Sequence, residues 1–185
     1  MSETSLSVDD ARRIALSAQG LLRSAPFGRG VDAAARAIDQ LGYVQIDTIS
    51  VVNRAHHHVL QSRVPGFRTE LYNTLLARKE VFEYWFHAAA YLPLREYRFY
   101  LRAMRAARDR WKVDAKTKRE VLSAIRAEGP LGSRWFESEG HRSGGWWDWK
   151  PAKRALELMY LQSELMVTAR EGFQKVYDLT ERALP

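Results

Sequence analysis

Two side chains in the stretch LGYVQIDTIS are of types that do chemistry: Gln45 and Asp47, separated by one residue. In an extended chain they share a face, roughly 7 Å apart, with Val44, Ile46 and Thr48 on the other face. A carboxylate beside an amide that both donates and accepts can jointly hold a water. Asp47 also suits a quieter role, as the N-cap of the helix that follows. Both readings stay open on the residues alone. No nucleophilic-serine elbow, phosphate-cradling Gly-rich loop or deaminase signature competes with the pair.

Basic residues supply a second signal. Arg95, Arg98, Arg102 and Arg105 recur at three and four residues and therefore share one helix face, which can lie along a phosphate backbone or simply be solvated. In GGWWDWKPAKRAL, Lys150, Lys153 and Arg154 open a further helix, whose N-terminus also attracts phosphate. Arg54, Arg170 and Lys175 complete the candidate nucleic-acid contacts. Trp146, Trp147 and Trp149 either stack on bases or pack into the core. In EVFEYWFHAAAY, a strand places Glu83, Trp85 and His87 on one face and Phe82, Tyr84 and Phe86 on the other. Tyr43, Trp85 and His87 are candidate pocket lining; an aromatic-packed sheet is the alternative. The three histidines of RAHHHVL project about 100° apart on a helix and cannot share one metal, so no metal or cofactor is expected.

Helices and small hairpins must position these groups. SVDDARRIALSAQG carries a capping signal at Ser7 and Asp10. RGVDAAARAIDQLG is a second helix, with Asp32 as its expected cap and Gly42 past its end. Two short helices follow, in NRAHHHVLQSRV and TELYNTLLARK, and then the aromatic strand or hairpin. A basic helix leads into a second block. There, DAKTKREVLSAIRAEGP is a helix capped by Asp114, followed by a short helix and by the helix of WWDWKPAKRALELMYLQSE. ELMVTAREGFQKVYDL is a hairpin turning at Glu171-Gly172, with Leu165, Val167 and Ala169 alternating on one face. The expected fold is mainly α with small β-hairpins (α+β), built as two tandem winged-helix domains. These span residues 1–93 and 113–185, joined by a basic linker helix over 94–112.

Composition bounds the partners. The 185 residues are 46% hydrophobic, enough for a folded core. Lysine and arginine number 29 against 22 acidic residues, a formal charge of +7, which favours a polyanion. The absence of cysteine suits a reducing compartment. No apolar run has the length of a membrane span, and the N-terminus has no export signal, so a cytoplasmic, nucleoid-associated protein without membrane contact is expected.

QIDTISVVNRAH, FEYWFH and GGWWDWKPAKRALE…ELMV…VYDL.ERALP together resemble the YcaQ-like, winged-helix, crosslink-repair DNA glycosylases of bacteria, along essentially the whole chain. The resemblance implies removal of alkylated purines from double-stranded DNA, including both halves of nitrogen-mustard interstrand crosslinks, by a monomer without cofactor. It carries the family's Q-x-D active-site pair onto Gln45 and Asp47. Asp47 would stabilise an oxocarbenium-like sugar and Gln45 would orient the water. In two respects the sequence departs from the pattern. Ala88 stands where family members carry Glu. ERALP falls near the end of the second unit, while the family continues into a third, so the expectation is a fragment or a short relative. A non-catalytic tandem winged-helix DNA-binding protein is the alternative.

Overall fold

A computed structural model describes residues 5–142 and 149–185. It opens with α1 (Val8–Ala18). The first half continues through α2 (Gly30–Leu41), β1 (Val44–Gln45), α3 (Ala55–Gln61), α4 (Leu71–Ala77) and the hairpin β2 (Val81–Trp85) and β3 (Ala89–Pro93). A single 3-10 turn and α5 (Tyr97–Arg110) lead into the second half. That half repeats the order: α6 (Ala115–Glu128), β4 (Leu131–Gly132), α7 (Ser133–Arg142), α8 (Trp149–Leu161), β5 (Leu165–Glu171) and β6 (Gln174–Leu179), with a last turn α9 (Thr180–Ala183). The sheets match as well. Their strand orders are β1-β3-β2 and β4-β6-β5, antiparallel throughout, so in each half a two-residue strand pairs with the second strand of the hairpin. The architecture is mixed, helices with two small antiparallel sheets. No described helix is long and apolar enough to cross a membrane.

Local chemistry explains several helix ends. Ser7 starts α1 by accepting from the Asp10 N–H at 3.1 Å. Asp114 starts α6 by accepting from the Thr117 N–H at 2.8 Å. Gly42 ends α2 at φ +80, a left-handed conformation that favours glycine. Asp32 does not cap α2. The cap position is Arg29, which makes no side-chain bond, and Asp32 pairs instead with Arg78 at 2.8 Å.

The first core gathers Ala37 and Ile38 of α2, Val44, Ile46, Leu60 and Leu75 under Val81 and Tyr91 of the first sheet. The other face of that sheet, with Phe82, Tyr84, Ala90 and Leu92, joins Met104, Ile125, Leu156 and Leu165 in a second core. The β2–β3 hairpin is therefore buried on both faces, which is why its sequence is a nearly continuous apolar run.

Two strand expectations are corrected. LGYVQIDTIS is not one strand: β1 holds only Val44 and Gln45, and the Ile46 N–H still reaches the Ala89 carbonyl at 2.7 Å. Beyond it the partner strand ends in the hairpin tip. The second correction is a bulge in β5. Val167 lies opposite Tyr177 and Ala169 opposite Val176, so Thr168 is an extra residue. The bulge breaks the expected Leu165, Val167, Ala169 face and places Arg170, opposite Lys175, where Ala169 would have pointed.

Candidate functional site

Gln45 and Asp47 line one hollow of about 520 Å³, with Tyr43, His56, Val59 and Arg63 around them. Gln45 is exposed at the end of β1, and its Oε1 lies 3.1 Å from the His87 Nε2. The His87 ring stands edge-on to Tyr43, centroids 5.2 Å apart. Because β1 pairs with β3, the tip of the β2–β3 hairpin delivers His87 to Gln45.

Asp47 is half-buried and sits just past the strand. Its Oδ1 accepts from the Ile49 N–H at 3.1 Å, an Asx turn that bends the chain away from the sheet. It does not cap the next helix, which begins only at Ala55. Its own N–H donates to His56 Nδ1 at 3.1 Å. His56 is buried and also lends its carbonyl to the Tyr72 hydroxyl at 2.7 Å. Burial, aided by the positive surroundings of His57, Arg170 and Arg54, pushes the His56 pKa down to about 3. The ring is therefore neutral and Nδ1 is free to accept the Asp47 N–H. Among the described residues none donates to the second carboxylate oxygen, which leaves Oδ2 open to a ligand in the hollow.

Arg63 was not singled out by sequence reasoning, yet it is a buried guanidinium on the wall of this hollow. It donates to the carbonyls of Gln19 and Val59, both at 2.8 Å, and burial lowers its pKa. It ties the end of α1 to α3. No local sequence pattern marks it.

The expected site residues divide. Tyr43 lines the hollow of the pair, and His87 stands outside that lining but bonds to Gln45 from the hairpin tip. Trp85 lines a separate hollow of about 310 Å³, between the halves, with Thr48, Lys153, Phe173 and Lys175. Arg98, Arg102 and Arg105 are exposed on α5, and Lys153 and Arg154 are exposed on α8. The side chain of Lys150, together with Trp146, Trp147 and Trp149, lies outside the described residues.

Three of the expected nucleic-acid contacts are engaged inside the protein. Arg170 forms a two-pronged ion pair with Glu83, Nε to Oε2 and Nη2 to Oε1, both at 2.7 Å. The side chains are 9% and 0% exposed, so this guanidinium is not presented to an outside phosphate. Asn73 pairs with the Arg170 backbone in both directions at 2.8 Å, donating to its carbonyl and accepting from its N–H. Lys175 pairs with Glu157 at 2.8 Å and covers the Tyr160 ring. Arg54 donates to the carbonyls of Asp47 and Thr48, and its guanidinium carbon lies 3.8 Å from the Phe173 ring centroid. Arg170 and Arg54 find carboxylate, carbonyl or aromatic partners across the junction of the halves, and Lys175 finds a carboxylate and a ring on the neighbouring α8. Glu83, a lone charge in an apolar strand, was the visible signal that such a partner existed.

Comparison with known proteins supplies the class. The family model described as "DNA glycosylase AlkZ-like" matches residues 38–185, from the last turn of α2 to the end of the chain. The chain belongs to the AlkZ-like DNA glycosylase family. Membership implies DNA as the substrate and repair by base removal as the activity. No solved structure matches the chain.

Proposed function

We propose that this protein hydrolyses the N-glycosidic bond of alkylated purines in double-stranded DNA, including N7-alkylguanines in interstrand crosslinks, with Asp47 and Gln45 as its catalytic pair. The observation that carries the reading is that both side chains meet in one hollow, Gln45 steadied by His87 and Asp47 by Ile49 and His56. An N7-alkylated guanine is cationic and leaves without a proton donor, so one carboxylate suffices where many sugar hydrolases need two. As the C1′–N9 bond breaks, its electron pair passes to the purine and neutralises it. Asp47 faces the positive sugar, then takes the proton of the water that attacks C1′. Gln45 orients that water. Among the described residues no lysine lines the hollow, which favours hydrolysis without a Schiff base or strand cleavage.

The repeated helix, strand, helix, helix, hairpin order and the identical strand orders support reading each half as a winged-helix unit, over residues 1–93 and 113–185. In that reading Arg98, Arg102 and Arg105 of the linker and Lys150, Lys153 and Arg154 of α8 meet the DNA backbone.

The test is release of N7-methylguanine from duplex DNA by wild type and by Asp47→Asn. The expected loss in the variant is on the order of a hundredfold or more. Equal release by both would remove Asp47 from the chemistry. A second reading, a non-catalytic DNA-binding protein, draws on Ala88: an alanine in the hairpin tip, beside the histidine that holds Gln45, where the resemblance leads one to expect a glutamate. Salt-sensitive DNA binding with no base release by either protein would establish that reading.

A further inference from the structure

Immediately past Asp47 the chain makes a small projection whose end is apolar. Val51 is 90% exposed and Val52 92%, with Ile49 at 69% behind them. The projection is braced. An antiparallel bridge between Ser50 and Arg54 closes it. The Arg54 N–H donates to Asn53 Oδ1 at 2.9 Å, and Asn53 also holds the His57 ring. The Arg54 guanidinium grips the carbonyls of Asp47 and Thr48 and lies on Phe173. Phe173 belongs to the turn of the second hairpin, which Arg170 fastens to Glu83 and Asn73. Both halves of the molecule therefore support the two valines.

We propose that Val51 and Val52 form a wedge that enters the base stack of duplex DNA beside the nucleotide held at Asp47. The proposal rests on the reading of Asp47 as the glycosylase carboxylate. Two β-branched side chains held almost wholly in water lose hydrophobic stabilisation that only an apolar surface restores. Duplex DNA offers anionic backbone outside and apolar surface only on the faces of its bases, which apolar side chains reach by parting a base step. Chemistry at a base requires that base to leave the stack, and the gap needs a filler. The Ile49 N–H is bonded to the Asp47 carboxylate, so the projection starts within two residues of the group proposed to face the sugar. The formal charge of +7 suits a polyanion over an acidic or neutral protein surface.

The experiment uses a duplex with 2-aminopurine next to a tetrahydrofuran abasic analogue, whose fluorescence reports unstacking without catalysis. Wild type is expected to raise the fluorescence at saturation. The Val51→Ser, Val52→Ser double variant is expected to lose most of that rise, with an unchanged salt dependence of binding, because no phosphate-binding group is altered. Its ratio of N7-methylguanine release from duplex over single-stranded DNA should fall about tenfold, the scale set by burial of one valine side chain. The milder Val52→Ala should fall between them. An equal rise for wild type and double variant, or no rise with wild type, overturns the wedge. So does a variant that changes sedimentation and leaves the fluorescence alone, which would make the projection a protein contact. A fluorescence rise confined to wild type, without base release from any substrate, would support the wedge and defeat the glycosylase reading.

Discussion

Removal of Glu83 should be among the most damaging single changes in the protein. Glu83 is fully buried and Arg170 nearly so, and two hydrogen bonds of 2.7 Å join them. Burial works against the charged form of Arg170, but the bonds and charge of Glu83 outweigh it and raise its pKa. Glu83→Ala leaves that guanidinium buried and unpaired, which costs about 3–5 kcal/mol. A chain of this size is stable by roughly 5–15 kcal/mol, so about a fifth or more of its stability is at stake. The pair is not expected to be favourable in itself: Glu83→Leu combined with Arg170→Met should restore most of the loss, because two apolar side chains of similar bulk need no partners. Urea unfolding of wild type, both single variants and the double variant supplies the cycle, with a coupling of about 2 kcal/mol or more expected. Additive losses, or a Glu83→Ala cost below about 1 kcal/mol, would refute the claim that the ion pair holds the second hairpin against the first sheet.

Other outcomes follow from the same network of bonds and charges. His56 has a folded pKa near 3 against about 6.5 unfolded, so the unfolded chain binds the extra proton in that window. Stability is therefore complete above about pH 6.5 and falls as pH drops, by at most about 1.4 kcal/mol per unit from this group; His56→Gln, which keeps an acceptor for the Asp47 N–H, should flatten the slope between about pH 5 and 6.5 in urea titrations. Replacement of Arg98, Arg102 and Arg105 by alanine should reduce the salt slope of duplex binding by about 0.9 for each phosphate no longer neutralised, read from affinities at several salt concentrations. Asp114→Ala should lower stability by about 1 kcal/mol through loss of the α6 cap, as measured by thermal or urea unfolding.

Much of the scaffold was legible in local chemistry. Ser7, Asp114 and Gly42 mark helix ends because caps and left-handed glycines act within a few residues of themselves. Gly172 marked the second hairpin for the same reason, although the turn falls one residue later than expected, at Gly172 and Phe173, with Glu171 paired to Gln174. Asp32 misled because a preferred cap residue can be claimed by a distant cation, here Arg78. The β5 bulge was hidden because strand alternation is a prior that one extra residue reverses.

The sequence by itself determined the kinds of group available: a carboxylate and an amide separated by one residue, an arginine-rich helix face and a surplus of positive charge. It also carried enough of the family's pattern for the chain to be placed. Only the tertiary structure decided which groups meet. His87 reaches Gln45 from 42 positions along the chain, and Glu83 meets Arg170 across 87. It also decided which cations are engaged within the protein and which are exposed. Charge is a property of a residue, but availability depends on its neighbours: Arg170 and Arg54 found partners across the halves and Lys175 on α8, while the exposed arginines of α5 face solvent. LGYVQIDTIS shows the same division. Its residue types supplied Asp47, but the Asx turn, the His56 ring and the Arg54 clamp, assembled by folding, turn an expected strand into a shaped site.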